Sequence, residues 1–316
     1  MLSGFILCES KRRTIRLSML VLVSTIFLVA MCSALLPTQH GISVWDGVLA
    51  STPLVEGSLD GLGLAHFVYD RKRRPTNVVE GTLEEILNEL GDDAPYVEFW
   101  SRADWINLEL HKDIDEFRAK RTDDGWSLKY PQNGHVLYVN VGDEVQGPTL
   151  VFDHEFKHMV SVPAKTGRLL RFDGDAPHAV PRPALAFLDP DEGGSNLEIF
   201  SRVRDEAIRF PSLKRRVLLF NTWQERPEQV EEMQSEGPPS QVSSSAVSFS
   251  MWSPVPVGAL PTDGESLIRL KVLLLGDRRR RLLRPDSSSV DFLAPRCVKQ
   301  ILQANDAVGV VPLKMK

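Results

Sequence analysis

Short apolar runs of strand length, separated by glycine, proline and polar turns, occupy the chain from about residue 95 to residue 225. A strand with one buried face repeats its apolar residues at every second position, whereas a helix repeats them every three to four. Short strands at this spacing favour a mainly β fold of the sandwich or jelly-roll type. The segments that fit a strand are 96–100, 105–111, 134–141, 147–152, 158–163, 167–172 and 215–223.

A helical pattern precedes these strands. Thr82 is followed three residues later by Glu85, as in a capping box, and Gly91 follows the last apolar position. We therefore predict a helix from Thr82 to Gly91 that packs on the outside of a sheet. Its apolar face is formed by Leu83, Ile86, Leu87 and Leu90.

The flanks of the strand-rich region differ from it in composition. We predict an N-terminal flanking region at 37–94, a jelly-roll domain at 95–225 and, within that domain, an insertion at 184–214 whose charged part, 200–210, has helical character. A Pro/Ser-rich linker at 226–264 and a C-terminal extension at 265–316 follow, the latter with an apolar stretch at 267–275 that suits a strand or a helix.

The N-terminus carries a targeting pattern. Basic residues between positions 11 and 16 precede an uncharged apolar run at 17–36, about the ~20 residues that span a bilayer as a helix. The run predicts either a signal peptide cleaved after Ala34 or an uncleaved signal-anchor that holds the protein in the membrane. Both place the protein in the secretory pathway: in the ER or Golgi lumen, secreted, or as a single-pass membrane protein. An organelle-targeting presequence is the alternative.

Composition narrows the class of protein. The 316 residues are 42% hydrophobic and 25% charged, which suits one large all-β domain with additions or two modest domains. The net charge of −5 gives no sign of a nucleic-acid-binding surface, and the basic runs 71–74 and 278–281 are interpreted as local solvated faces. Cys297 is the only cysteine after residue 32, so an intrachain disulfide framework is excluded there. Asn-x-Ser/Thr sequons are absent and give no support for secretion.

The strand-rich region contains a candidate metal site. His111 and Asp113 are two residues apart, so an extended strand turns both side chains to one face and Lys112 away. A further His178 follows 65 residues after Asp113, and two imidazoles with one carboxylate form the ligand set of non-haem Fe(II) sites. Asp115 is the alternative carboxylate ligand. Because it is four residues after His111, it would lie too far along a strand to share the same ion easily.

A rival metal motif lies at His154-Glu155-Phe156-Lys157-His158. This segment fits the His-Glu-x-x-His signature of zinc proteases, which requires a helix to bring both histidines to one face. Strand-like segments on both sides leave about one helical turn between them. We predict instead a polar turn that joins two strands.

The order of these motifs resembles the 2-oxoglutarate- and Fe(II)-dependent dioxygenases, within them the prolyl-4-hydroxylase-like branch, over roughly 95–225. The pair His111-x-Asp113 resembles the family's metal pair, and 163–172 is similar to the turn and strand that lead to its distal histidine, here His178. The strand pair 135–140 and 147–152 also resembles a family motif.

The same resemblance assigns a cofactor anchor. Arg216 resembles the family's basic residue that grips the far carboxylate of 2-oxoglutarate, and Tyr138 and Thr149 are candidates to add a hydroxyl there. The family places this residue about ten positions after the distal histidine, whereas Arg216 follows His178 by 38. The assignment therefore needs the 184–214 insertion between two strands. Arg215 stays open as a rival, because neighbouring strand residues face opposite sides.

The resemblance implies a double-stranded β-helix (jelly roll) with flanking helices and a hydroxylase activity. Fe(II) would be held by His111, Asp113 and His178, with 2-oxoglutarate, O2 and ascorbate as further reactants. A C–H bond of a peptidyl proline, another side chain or a small molecule would be hydroxylated, with release of succinate and CO2. The alternatives are a catalytically silent jelly-roll binding module, against which the retained ligand set argues, and the zinc protease.

Overall fold

A computed structural model describes residues 41–63, 65–123, 125–188, 196–233, 246–259, 266–275 and 288–316. These residues belong to one compact unit, His40–Lys316. The predicted signal peptide or anchor at 17–36 lies outside the described residues. Within the described ranges, every helix is too short or too polar to cross a bilayer.

The strands are numbered in chain order and bounded as follows: β1 (Ile42–Asp46), β2 (Phe67–Asp70), β3 (Tyr96–Asp104), β4 (Leu108–His111), β5 (Lys120–Thr122), β6 (Gly125–Ser127), β7 (Asn133–Val141), β8 (Thr149–Phe152), β9 (His158–Val162), β10 (Leu169–Asp173), β11 (His178–Val180), β12 (Lys214–Trp223), β13 (Glu231–Glu232), β14 (Ser253–Pro254), β15 (Val257–Ala259), β16 (Leu267–Leu273), β17 (Ser289–Pro295), β18 (Val308–Pro312) and β19 (Lys314–Met315). The helices are α1 (Thr52–Leu59), α2 (Val78–Glu89), α3 (Asn196–Arg209) and α4 (Val298–Leu302), with a short 3-10 turn at Phe249–Met251.

Two mainly antiparallel sheets form the body of the fold. One has the strand order β13-β2-β3-β12-β7-β10-β1-β14 and the other the order β15-β18-β9-β8-β11-β4. The chain passes back and forth between the sheets, with β3, β7, β10 and β12 in the first and β4, β8, β9 and β11 in the second. This alternation is that of a double-stranded β-helix, so the predicted mainly β jelly-roll fold is confirmed.

Strand alternation separates two cores. On β7, Val136 and Tyr138 point between the sheets, whereas Leu137 and Val139 point to the outer face. The outer face is covered by α1 and α2, which confirms the predicted packing of a helix on the outside of the sheet. The inner core also contains Val151, Val160, Val162, Leu170, Phe172 and Val217.

The N-cap of helix α2 lies five residues earlier than the capping pattern predicts. Its N-cap is Asn77, whose side-chain oxygen accepts the backbone N–H of Glu80 at 2.9 Å. Thr82 lies inside the helix, where its hydroxyl donates to the carbonyl of Val78 at 2.8 Å. The prediction failed because buried Val79 extends the apolar face upstream. The predicted end is correct: Gly91 has φ +63°, and its N–H and that of the next residue close the last turn.

The two sheets extend past the predicted 95–225 range on both sides. Strand β1 pairs with β10, and β18 from the C-terminal region pairs with β9. The apolar stretch at 267–275 forms strand β16, which pairs with β17 in a separate sheet. Within the predicted insertion, the charged segment forms α3, and residues 189–195 lie outside the described residues.

The predicted linker at 226–264 contributes strands β13, β14 and β15, while 234–245 and 260–265 lie outside the described residues. In the basic run at 71–74, Arg71 pairs with Glu84 and Arg73 with Glu80. The second basic run, 278–281, lies outside the described residues.

Replacing the observed helix cap gives a direct stability test. We expect Asn77→Ala to lower the free energy of unfolding by about 1 kcal/mol, because the Glu80 N–H then loses its acceptor. Asn77→Asp, which keeps an acceptor oxygen at the same position, should leave stability nearly unchanged. Urea denaturation monitored by circular dichroism compares the two variants, and equal losses would contradict the cap assignment.

Candidate metal centre

The structure brings His111, Asp113 and His178 together at one end of the space between the sheets. One ligand atom from each of the three lies within 4.8 Å of the other two. His111 ends β4 and His178 begins β11, and the two are direct partners in the antiparallel pairing of these strands. The third ligand therefore comes from a strand alongside the first pair, as the sequence predicts. Among the described residues, this is the only such group of three potential ligands.

Backbone carbonyls fix the orientation of both imidazoles. Nδ1 of His111 lies 2.7 Å from the carbonyl oxygen of Glu109, and Nδ1 of His178 lies 3.1 Å from that of Ala176. A carbonyl can only accept, so each Nδ1 carries the hydrogen and each neutral ring keeps its Nε2 lone pair. Both Nε2 atoms face the Asp113 carboxylate, at 3.7 Å and 3.9 Å. In metal sites, such a hydrogen bond from the ring nitrogen that does not bind the metal orients the histidine for coordination.

Asn221 positions the carboxylate of the group. Its side-chain nitrogen donates to Oδ2 of Asp113 at 3.1 Å from strand β12. Sequence reasoning missed this residue, because nothing in the sequence gives the register that places β12 opposite the residues after β4. The three side chains and Asn221 suit a divalent metal that takes two nitrogen ligands and one oxygen ligand, such as Fe(II).

A second polar group lies in the same cavity around Arg215. The Arg215 side chain is 3% exposed, its Nη2 donates to the Thr149 hydroxyl at 3.0 Å, and its guanidinium lies 5.1 Å from the Tyr138 ring centre. The Tyr138 and Thr149 hydroxyls are 2.7 Å apart. Burial lowers the pKa of the guanidinium below its ordinary value. Within the described part of the chain, no carboxylate pairs with Arg215 and its Nε has no hydrogen-bond partner.

The predicted anchor Arg216 points away from this cavity. Its guanidinium pairs with Asp60 at 2.7 Å, on the opposite side of β12. The reason is strand alternation: Arg215, Val217, Leu219 and Asn221 face inward, and the residues between them face outward. The structure thus brings Tyr138 and Thr149 to Arg215, the residue that the sequence left as the rival.

The fallback ligand and the rival metal motif lie elsewhere. The Asp115 carboxylate accepts backbone N–H groups from Phe117 and Arg118 and serves a turn. Strand β8 ends at Phe152 and β9 begins at His158, so the predicted polar turn joins two strands where the zinc motif would need a helix. In this turn, His158 bonds to Asp153 at 2.9 Å.

His135 belongs to the strand motif of the resemblance, yet its ring lies on the outer face of β7. The ring stacks on Phe220 at a centroid distance of 4.4 Å and an angle of 3°. Its Nδ1 lies 3.3 Å from the carbonyl oxygen of the same residue. Burial lowers the pKa of His135 to about 3, so the ring is neutral at physiological pH. We assign it a packing role behind the sheet.

His111, Asp113 and His178 line one part of the cavity. One of its walls is formed by His66 and the inward face of β3, namely Glu98, Trp100 and Arg102. Ile106 and Leu108 lie at its rim.

Comparison with known proteins gives no match to a family model and none to a curated protein. Among solved structures, a prolyl-4-hydroxylase from Pseudomonas putida is 16% identical, with 60% of this chain and 86% of that chain covered and a TM-score of 0.32. HygX from Streptomyces hygroscopicus with nickel and 2-oxoglutarate bound is 13% identical over 61% and 85%, with a TM-score of 0.35. HygX with iron bound is 14% identical over the same shares, with a TM-score of 0.33. Because identity and TM-score are this low, these similarities assign neither a family nor a function to the chain.

Removing one imidazole tests the metal group. We expect His178→Ala to weaken Co(II) binding on the order of 100-fold, since even outer hydrogen-bond partners of metal ligands contribute 10–100-fold. His154→Ala, which removes a half-exposed histidine from the β8–β9 turn, should bind Co(II) like the unmutated protein. Isothermal titration calorimetry measures both affinities. Equal affinity in all three proteins would place the metal elsewhere.

Asn221 allows a separate test of carboxylate positioning. We expect Asn221→Leu to lower Co(II) affinity roughly tenfold, because Asp113 loses the donor that orients it. The matched control is Asn140→Leu, which breaks a similar bond to a carboxylate, that of Glu56 at 2.7 Å, away from the cavity. If the two variants bind Co(II) equally well, Asn221 has no part in holding Asp113.

Proposed function

We propose that the protein is an Fe(II)- and 2-oxoglutarate-dependent dioxygenase that hydroxylates a C–H bond of its substrate. One observation carries the proposal: a buried guanidinium that pairs with no carboxylate of the described residues shares a cavity with a two-histidine, one-carboxylate group. A buried charge without a counter-charge is strongly unfavourable, so the site suits an anionic ligand.

The spacing of the two groups supports a short dicarboxylate. Val151 of β8 is the direct strand partner of His178, and Thr149 stands two residues earlier on the same strand. Two residues of a strand span about 7 Å, so the hydroxyl that holds Arg215 is displaced by that amount from the level of the metal ligands. A five-carbon dicarboxylate is suited to reach from one to the other.

The residues then have distinct tasks. His111, Asp113 and His178 would hold Fe(II), and Arg215 would grip the far carboxylate of 2-oxoglutarate in its planar fork, with Tyr138 and Thr149 beside it. When bound, iron and 2-oxoglutarate supply the oxidising chemistry with O2, and 2-oxoglutarate leaves as succinate and CO2. Phe172 packs on the His178 ring at a centroid distance of 5.0 Å.

The catalytically silent binding module is the second candidate, and turnover distinguishes the two. Purified full-length protein with Fe(II), ascorbate and 2-oxoglutarate is expected to release succinate, even without substrate, at a slow uncoupled rate. Binding of 2-oxoglutarate without release of succinate, with every substrate tested, would favour the silent module.

Neighbouring arginines on β12 provide a matched test of the anchor. We expect Arg215→Gln to raise the dissociation constant for 2-oxoglutarate on the order of 100-fold, because a buried charge pair is lost. Arg216→Gln, which removes an identical side chain from the other face, should leave that constant unchanged. Calorimetry with the Co(II)-loaded protein measures both. A larger effect at position 216 would overturn the assignment of the anchor.

A further inference from the structure

We propose that Glu98 and Asn221 form the substrate subsite of this cavity and that they select a substrate with hydrogen-bond-donating groups, ammonium or hydroxyl, next to the reacting carbon. This inference rests on the proposed function for the identity of the reaction. The subsite itself rests on the strand register and on the contacts of these two side chains.

The register places the two residues side by side at the metal end of the cavity. Asn221 of β12 and Glu98 of β3 are direct antiparallel partners. Directly opposed residues of such a pair have Cβ atoms about 5 Å apart and point to the same face. Since Asn221 also contacts the candidate ligand Asp113, its partner Glu98 lies at the end of this wall that adjoins the three potential ligands.

Both residues present acceptor oxygens to the cavity. The Asn221 amide nitrogen must point to Asp113, because a carboxylate can only accept, and the amide oxygen is thereby turned elsewhere. Among the described residues, that oxygen has no hydrogen-bond partner. An ionised carboxylate is likewise an acceptor only, and the Glu98 side chain, 14% exposed, is held by a single contact, from Nδ1 of His66 at 3.0 Å.

An aromatic surface adjoins these acceptors. The His66 ring stacks on the Trp100 indole at a centroid distance of 4.6 Å and an angle of 2°. Because His66 donates through Nδ1 to Glu98, its Nε2 is a further acceptor when the ring is neutral. Arg102, a donor on this wall, stands four residues beyond Glu98 on the same strand, about 13 Å along it and toward the Arg215 end. The Trp100 indole N–H is a second donor, buried and without a hydrogen-bond partner among the described residues.

The distribution of these groups determines which chemical groups of a substrate fit this part of the cavity. The acceptor oxygens of Glu98 and Asn221 lie side by side, so an apolar group or one that carries only acceptors would leave Oε2 of Glu98 and the Asn221 amide oxygen desolvated without a donor. An ammonium or a pair of hydroxyl groups supplies donors to both oxygens. A prolyl ring offers no donor of its own to this pair.

The test measures ligand binding at this wall directly and does not require the metal. Full-length protein is grown with 5-fluorotryptophan, and the fluorine resonance of Trp100 is assigned among the six tryptophans by Trp100→Phe. Three six-membered-ring probes that differ in their donors are titrated: trans-2-aminocyclohexanol, trans-1,2-cyclohexanediol and trans-1,2-dimethoxycyclohexane. We expect the first two to shift the Trp100 resonance and the dimethoxy probe to leave it unchanged.

The variant Glu98→Gln tests the role of the charge. We expect it to weaken binding of the amino probe roughly tenfold or more, because a hydrogen bond to a charged group is lost. Glu155→Gln, the same change in the exposed β8–β9 turn, should have no effect. Tighter binding of the amino probe than of the diol assigns the donor as an ammonium, and equal binding assigns it as hydroxyl.

Two results would overturn the subsite: a Trp100 resonance that no probe shifts, or a dimethoxy probe that binds as well as the donors. Failure of the proposed function is visible separately, as absence of 2-oxoglutarate binding to the Co(II)-loaded protein. Donor selectivity without 2-oxoglutarate binding would support the subsite and reject the dioxygenase.

Discussion

The antiparallel pairing of β4 with β11 is the interaction on which the candidate site depends. It sets His178 directly opposite His111, so the two imidazoles lie with their centres 4.2 Å apart without support from a long loop. Each ring is then oriented by the carbonyl two residues before it on its own chain segment. Because strand register is set by the buried face of the whole sheet, the sheet fixes which residue stands opposite His111. A slip of one residue would turn His178 out of the cavity.

Strand β12 connects the two ends of the site in a similar way. Its inward residues run from Arg215, beside Thr149, to Asn221, beside Asp113. One continuous strand therefore holds the cation that would anchor a cofactor and the amide that orients a candidate metal ligand. The pairing of β12 is irregular near residue 216, where its register with β7 shifts. Beyond this irregularity the inward alternation persists, which is why Arg215 and Asn221, six positions apart, share a face.

The sequence predicts the parts of this arrangement that depend on local pattern. The alternation of apolar residues predicts the strands, and the i, i+2 spacing places His111 and Asp113 on one side. The sequence leaves open whatever depends on the register between distant strands. It does not decide whether Arg215 or Arg216 faces inward, and it does not reveal that Asn221 contacts Asp113. The predicted start of α2 is wrong for a different reason: Thr82 and Glu85 have the spacing of a capping box, but the N-cap is Asn77. Strands β1 and β18 join the two sheets from outside the range 95–225, and their partners within that range, β10 and β9, lie more than a hundred residues away along the chain.

The energetics of Arg215 bear on the choice between an enzyme and a silent module. Its neighbours are two hydroxyl groups and an aromatic ring, which satisfy part of the guanidinium but leave its charge without a carboxylate partner among the described residues. Replacing such a buried charge by an apolar side chain of similar volume is commonly neutral or stabilising. A jelly roll that served only as a scaffold would therefore gain nothing from an arginine at this position. The same holds for two imidazoles whose Nε2 atoms lie 3.7 Å and 3.9 Å from the oxygens of one carboxylate. The two features together fit a site built to bind a cation and a small anion side by side.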